Sequence, residues 1–293
     1  MTRALQLQGL TFSVVALVLA AVTAAAPRFP QRFELIAAAV AIVTLGVPHG
    51  GLDMVFAREL HGMRGILRWA AFGLLYGFLA ASVVAVWLAA PAVFLISFLL
   101  VSAVHFSGDP ARGTLTMSRV LYGGAVIVLP AALHAGETGQ LFGLLAGDDA
   151  ASMLMPWLTA ISLPWLAVLA TCAVIEVRRS PCTALELVAV GTLAVATPPL
   201  VAFVVFFCGM HSVRHVLRTA EWVRRSGRWL MVASALLPTA AVLAVAVGGW
   251  FWMGDTPPNA RIIRLVFVGL AALTVPHMAL VERVRLNGWR PIA

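Results

Sequence analysis

The chain has 293 residues, 61% of them hydrophobic and 11% charged, with a mean hydropathy of +0.97. A soluble protein of this length needs a far more polar surface, so the composition excludes one and predicts an all-α, polytopic transmembrane helix bundle of about 8–10 spans, a single unit over residues 1–293. The net charge of +8 comes entirely from arginine, and the pI is near 11.1. Because these arginines sit in short loops between apolar spans, they report orientation and lipid headgroups, and no nucleic-acid partner is expected.

A span needs about 20 apolar residues. In chain order the expected spans are 5–26, 33–50, 68–90, 92–107, 118–135, 154–176, 183–197, 199–220, 229–252 and 262–282. The first stretch, from Arg3 through the apolar run to small residues before Pro27, has the outline of a signal peptide. Further spans follow it directly, which suits an uncleaved anchor. The spans at 92–107 and 183–197 are short and border Pro91, Pro198 and Pro199, so tight hairpins and partly re-entrant segments are both open. The glycine-rich stretch from about 136 to 153 is a flap or a re-entrant segment. Cys172, Cys182 and Cys208 form no C-x-x-C pair and are expected as small apolar residues without a disulfide.

Arginine fixes the expected orientation. Arg58, Arg64 and Arg68 share one loop, and Arg112 and Arg119 another. Arg178 and Arg179 form a third cluster, Arg224, Arg225 and Arg228 a fourth, and Arg283, Arg285 and Arg290 the tail. Alternation of the spans puts all five groups, and both termini, in the cytoplasm. Arg28, Arg32, Arg261 and Arg264 fall on the other side as a minority. Arg214 and Arg218 are expected to snorkel to headgroups.

On that topology His49, His105, His211, His215 and His277 all fall in the cytoplasmic leaflet, on four different spans. His61 lies in an arginine-bearing loop and His134 at the opposite face. Ionisable residues inside a bilayer are costly and mark function, and imidazole is the commonest metal-ligating side chain. His211 and His215 are spaced i,i+4, on one helix face with Cβ atoms about 6 Å apart, which lets both rings address one ion. Asp53 follows His49 by four residues and Asp109 follows His105 by four. A metal-bound histidine gives its other N–H to a carboxylate or carbonyl, so each aspartate is expected to support its own neighbour, although Gly50 and Gly51 can break the helix between them. His277, after Pro276, either lines the pocket or packs at a proline kink. Asp53 and Asp109 have a plainer alternative as helix-terminus residues facing water. Phe94, Phe98, Phe106, Phe203, Phe206 and Phe207 suit core or lipid-facing positions, with Phe106 also a candidate to line the site. Four imidazoles without a thiolate suit Fe, Zn, Cu or Ni. A structural zinc site would be closed, and a site within the membrane with no charged ligand better fits iron with positions open to O2 and an apolar substrate.

At these residues the chain resembles the Brp/Blh family of membrane β-carotene 15,15′-dioxygenases. The resemblance rests on Pro48-His49-Gly50-Gly51-Leu52-Asp53, on His105-Phe106-Ser107-Gly108-Asp109 and on His211-Ser212-Val213-Arg214-His215, in that order. It covers about residues 33 to 285, leaving 1–32 as an extra N-terminal span. It implies Fe(2+) held by His49, His105, His211 and His215, with no catalytic residue beyond the metal centre. It also implies cleavage of the central double bond of β-carotene by O2 into two molecules of all-trans-retinal. The implied partners are a carotenoid entering from the bilayer, O2, membrane lipid and a rhodopsin as downstream client, and the implied location is the cell inner membrane.

Other classes fit less well. Di-iron membrane desaturases need about eight histidines in paired clusters, more than this chain has. A bis-histidine haem needs its ligands on facing helices. A transporter needs polar residues through both leaflets.

Overall fold

The structure, a computed structural model, describes residues 2–25, 30–223 and 228–286. Pro27, Arg28, Arg224, Arg225 and Arg290, used above, lie outside the described residues. The described chain is all-helical, without a strand. Its helices are α1 (Arg3–Ala25), α2 (Gln31–His61), α3 (Ile66–Ala89), α4 (Pro91–Phe106), α5 (Thr116–Val128), α6 (Ala135–Ala146), α7 (Asp148–Val177), α8 (Pro181–Ala196), α9 (Pro199–Trp222), α10 (Arg228–Trp252) and α11 (Pro258–Leu286). Seven are long and apolar enough to cross a membrane, and α4, α5 and α8 are shorter apolar helices. Nine of the ten apolar stretches anticipated from the sequence each fall on one of these helices to within a residue or two; the stretch 118–135 does not, because it breaks at Leu129, where α5 ends and a four-residue helix, Pro130–Leu133, begins on a proline.

Proline sets several starts. Pro91, Pro181 and Pro199 occupy the first turns of α4, α8 and α9, where the missing N–H costs nothing and the fixed φ favours the helix. The prolines bordering the short spans thus begin helices. The glycine-rich stretch is a helix, α6, ended by Gly147 at φ 91°. All three cysteines are free, with Cys172 and Cys208 buried.

The second span is longer than its apolar run. After Ile42–Gly46, which is π-helical, α2 continues through Val47–Gly51, turns at Leu52 and resumes over Asp53–His61. A second π-helical segment, Val205–Ser212, lies inside α9. Such wide turns recur at functional sites because they re-aim side chains. The two segments pack against each other, with the Phe207 ring over Gly46, where a Cβ would collide with it.

Around this contact α11 packs on α2, α3 and α6, while α5, α7 and α8 pack together. The largest cluster of buried apolar residues joins Phe12 and Ala16 of α1, Leu121 and Tyr122 of α5, Leu187 and Leu193 of α8, and Phe206 and Met210 of α9. The first span is therefore packed into the bundle, against α8 and α9.

Gly46→Leu is expected to lower stability by about 1–3 kcal/mol, the usual cost of overpacking. Gly73→Ala, on α3 with nothing within 4 Å of an added Cβ, should leave the thermal unfolding midpoint in detergent unchanged or raised. Equal midpoints for Gly46→Leu and the unaltered protein would contradict the close contact.

Candidate metal centre

His49 of α2, His105 of α4, His211 and His215 of α9, and His277 of α11 are all buried, between 2% and 8% exposed. Their rings form one cluster. Centroids are 4.6 Å apart for His105 and His211, 5.0 Å for His215 and His277, and 5.1 Å for both His49–His211 and His105–His277. The i,i+4 pair is wider, at 6.5 Å between ring centres. His61 and His134 lie elsewhere: His61 is exposed, and His134 is buried with its Nδ1 3.7 Å from Glu137.

His49, His211 and His277 each hold a partner on Nδ1. His49 Nδ1 donates to the Gly46 carbonyl at 2.5 Å, with Ser212 Oγ 3.0 Å away. His211 Nδ1 donates to the Asp109 carboxylate at 3.0 and 3.2 Å. His277 Nδ1 donates to Asp53 Oδ1 at 2.6 Å. An Nδ1–H so committed leaves Nε2 as the lone-pair nitrogen, the state a metal ligand requires. The Nε2 atoms of His105 and His211 are 3.0 Å apart. That is also the separation of two nitrogens bound at right angles to one ion with bonds of about 2.1 Å. Ring nitrogens of His49, His105 and His277 lie within 4.8 Å of one another. The donor set and its spacing therefore fit a divalent metal.

Both aspartates are buried, but each serves a histidine on another helix. Asp53 supports His277 and not His49, and Asp109 supports His211 and not His105. The i,i+4 expectation failed because neither helix continues unbroken to its aspartate. Leu52 interrupts α2 before Asp53, and α4 ends at Phe106 before Asp109.

Arg214 does not snorkel. It is fully buried between the two histidines of α9 and makes a two-pronged contact with Glu186 of α8 at 2.7 and 2.9 Å. Its Nε donates to Gln8 of α1 at 2.9 Å. Gly9 of α1 gives this pair room, since a Cβ there would strike both side chains. Arg214 Nη1 also donates to the Asp109 carbonyl, and Arg218, half-buried, donates to the carbonyls of Gly108 and Asp109. The two guanidiniums thus clamp the turn that aims Asp109. Burial alone would raise the Asp109 carboxyl, but His211, Arg218 and Arg214 outweigh it and hold the group below the ordinary carboxylate value.

An apolar cavity opens beside the imidazoles, lined by His49, His105 and His277 with Phe98, Phe106, Phe203 and Phe207. A second cavity shares Phe98, Ser102, Phe106 and Phe203 and runs on past Val126, Leu141 and Phe142. Of the six phenylalanines expected in core or lipid, Phe94 and Phe206 are core, and the other four line this space. The sequence reading missed Tyr76, Glu186 and Gln8. Glu186 carried a signal, as a lone carboxylate inside an apolar helix, which calls for a cationic partner.

Asp109→Asn keeps the shape but weakens the acceptor for His211. Metal affinity, measured by competition with a chelator, should fall about 10–100-fold. Glu186→Leu leaves Arg214 buried without its carboxylate and should cost about 3–5 kcal/mol, read as a lower unfolding midpoint. Unaltered values in either variant would contradict the clamp.

The sequence profile of the β-carotene 15,15′-dioxygenase family matches residues 40–284, which include all five clustered histidines. The chain is 30% identical over 251 residues to the β-carotene 15,15′-dioxygenase of uncultured marine bacterium 66A03, covering 82% of this chain and 90% of that protein. It is 27% identical over 282 residues to a probable β-carotene 15,15′-dioxygenase, Blh, of Halobacterium salinarum, covering 82% and 81%. No solved structure matches it. The resemblance carried by the three histidine motifs is borne out: the chain belongs to the β-carotene 15,15′-dioxygenase family.

Proposed function

We propose that this protein cleaves the central 15,15′ double bond of β-carotene with O2 to give two molecules of all-trans-retinal. It is a carotenoid-cleaving dioxygenase by family. The observation that carries the reading is the convergence of imidazoles from four helices beside an aromatic, otherwise apolar cavity. His49, His105, His211 and His215 would hold Fe(2+). When bound, the iron supplies the activation of O2 that a spin-paired hydrocarbon cannot achieve alone.

The protein's own residues bind, orient and keep water out. Phe98, Phe106, Phe203 and Phe207 give a polyene flat aromatic faces to lie on, and the second cavity accommodates part of its length. Holding the chain there selects one double bond by position. One oxygen atom goes to each carbon of that bond, so no proton balance has to be met. Accordingly, no acid or base is assigned: the nearby carboxylates, Asp53 and Asp109, are both engaged by histidines. Apart from the histidines, the polar groups lining the two cavities are the hydroxyls of Ser102, Thr138 and Thr274 and backbone. Nothing there reads a ring substituent, so a related carotenoid or other polyene is the second reading of the substrate.

In this reading the chain is one bundle in the cell inner membrane with both termini cytoplasmic. Residues 1–32 form an added span on a dioxygenase core of 33–285. The carotenoid enters from the surrounding lipid, O2 is the co-substrate and a rhodopsin is a consumer of the retinal.

Expression in β-carotene-producing cells should bleach the orange colour and yield retinal, identified by chromatography. His105→Ala and His211→Ala should each lose more activity than the ~10–100-fold typical of losing an outer partner. Chelation should abolish turnover of the purified protein, and Fe(2+) should restore it. Persistent carotene alongside bound iron would refute the substrate and spare the metal site.

A further inference from the structure

The four-histidine set leaves His277 unexplained. We infer that His277 is a fifth metal ligand, presented by a Tyr76–Asp53 arm that reaches it from α3 and α2. The inference rests on the metal centre proposed above.

Three observations carry it. His277 belongs, with His49 and His105, to the group whose ring nitrogens converge within 4.8 Å. His277 Nε2 is buried and has no hydrogen-bond partner, although its ring is only 3% exposed. A buried nitrogen lone pair without a partner is costly, and an ion at the centre of the cluster relieves it. On the other side of the ring, Nδ1 donates to Asp53 Oδ1 at 2.6 Å. That bond fixes the tautomer with the lone pair facing inward.

Asp53 is itself held. Tyr76 Oη donates to Asp53 Oδ2 at 3.0 Å and is 3.4 Å from the Leu273 carbonyl, one turn before His277 on α11. Both carboxylate oxygens are thus occupied, and three helices are locked to one another behind one imidazole. Carboxylate–histidine pairs of this kind are how proteins orient metal-binding imidazoles.

Charge gives an independent reason. Neutral imidazoles leave a divalent ion with its full charge among apolar side chains, which is expensive. Asp53 behind His277 and Asp109 behind His211 place a carboxyl group one ring away from the centre on two sides, at 2.6 and 3.0 Å from the imidazole nitrogens. A lining residue would need no carboxyl group at its back. A fifth imidazole also leaves fewer positions to water and O2.

The test uses the full chain in detergent with Co(2+) as the probe, reading cobalt per chain, affinity against a chelator and the visible spectrum. His277→Gln should weaken Co(2+) binding more than 100-fold and change the spectrum. Asp53→Asn should weaken it about 10–100-fold, and Tyr76→Phe should weaken it less, in the same direction. His61→Gln, outside the site, should change nothing. Imidazole added to His277→Gly should restore the original spectrum. If the unaltered protein binds no cobalt, the centre as a whole fails. If His211→Ala loses the metal while His277→Gln keeps the original affinity and spectrum, only the His277 assignment fails. Should His277→Gln not fold, unchanged binding in both Asp53→Asn and Tyr76→Phe overturns it.

Discussion

An imidazole buried among hydrocarbon has two nitrogens to satisfy, and the bundle is arranged around that requirement. His49, His211 and His277 each commit Nδ1 to a carbonyl or carboxylate. The opposite nitrogen then keeps its lone pair; that of His211 faces His105 Nε2, while ring nitrogens of His49 and His277 converge with His105. No helix supplies the whole arrangement for itself. Each aspartate reaches across to a histidine of another helix, so the tautomers are correct only when α2, α4, α9 and α11 are packed together.

The packing that allows this departs from regular helix in two places. The π-helical turns at Ile42–Gly46 and Val205–Ser212 face each other where Phe207 lies over Gly46. They come just before His49 and around His211, so the irregular backbone is concentrated where the rings must be aimed. The clamp on Asp109 follows the same logic. Arg214 lies between the two histidines of its helix and can stay buried because Glu186 meets it with both oxygens. From there it reaches the turn carrying Asp109. Through Gln8 and Gly9 this network also ties the first span to α9, the helix that carries His211 and His215.

Aromatic rings occupy the remaining side of the cluster. Phe203 stacks on Phe207 with planes 9° apart, and Phe207 stacks in turn on His211 at 16°. Phe106 meets His211 edge-on at 5.0 Å. This wall offers a flat surface to a flat hydrocarbon. In the proposed reaction, shape and depth would select the position along a polyene, as hydrogen bonds do in a polar site.

Composition and apolar run length were enough for the class of fold, because a helix that must bury its own polar backbone in lipid needs about 20 apolar residues and advertises them. The spacing of His211 and His215, and the shared depth of five histidines on alternating spans, point to one cluster from sequence alone. The pairings were not legible. Asp53 and Asp109 were matched to histidines four residues away, since sequence distance is the only distance a sequence offers, and helix breaks at Leu52 and after Phe106 undo that arithmetic. Arg214 looked like an interfacial residue because its partner Glu186 is 28 residues away. Tyr76 had no local signal at all, since its role exists only through contact with Asp53 and Leu273. The sequence by itself determined which residues are chemically able to build the centre. Tertiary structure decided which carboxylate stands behind which ring, because that depends on how four helices cross.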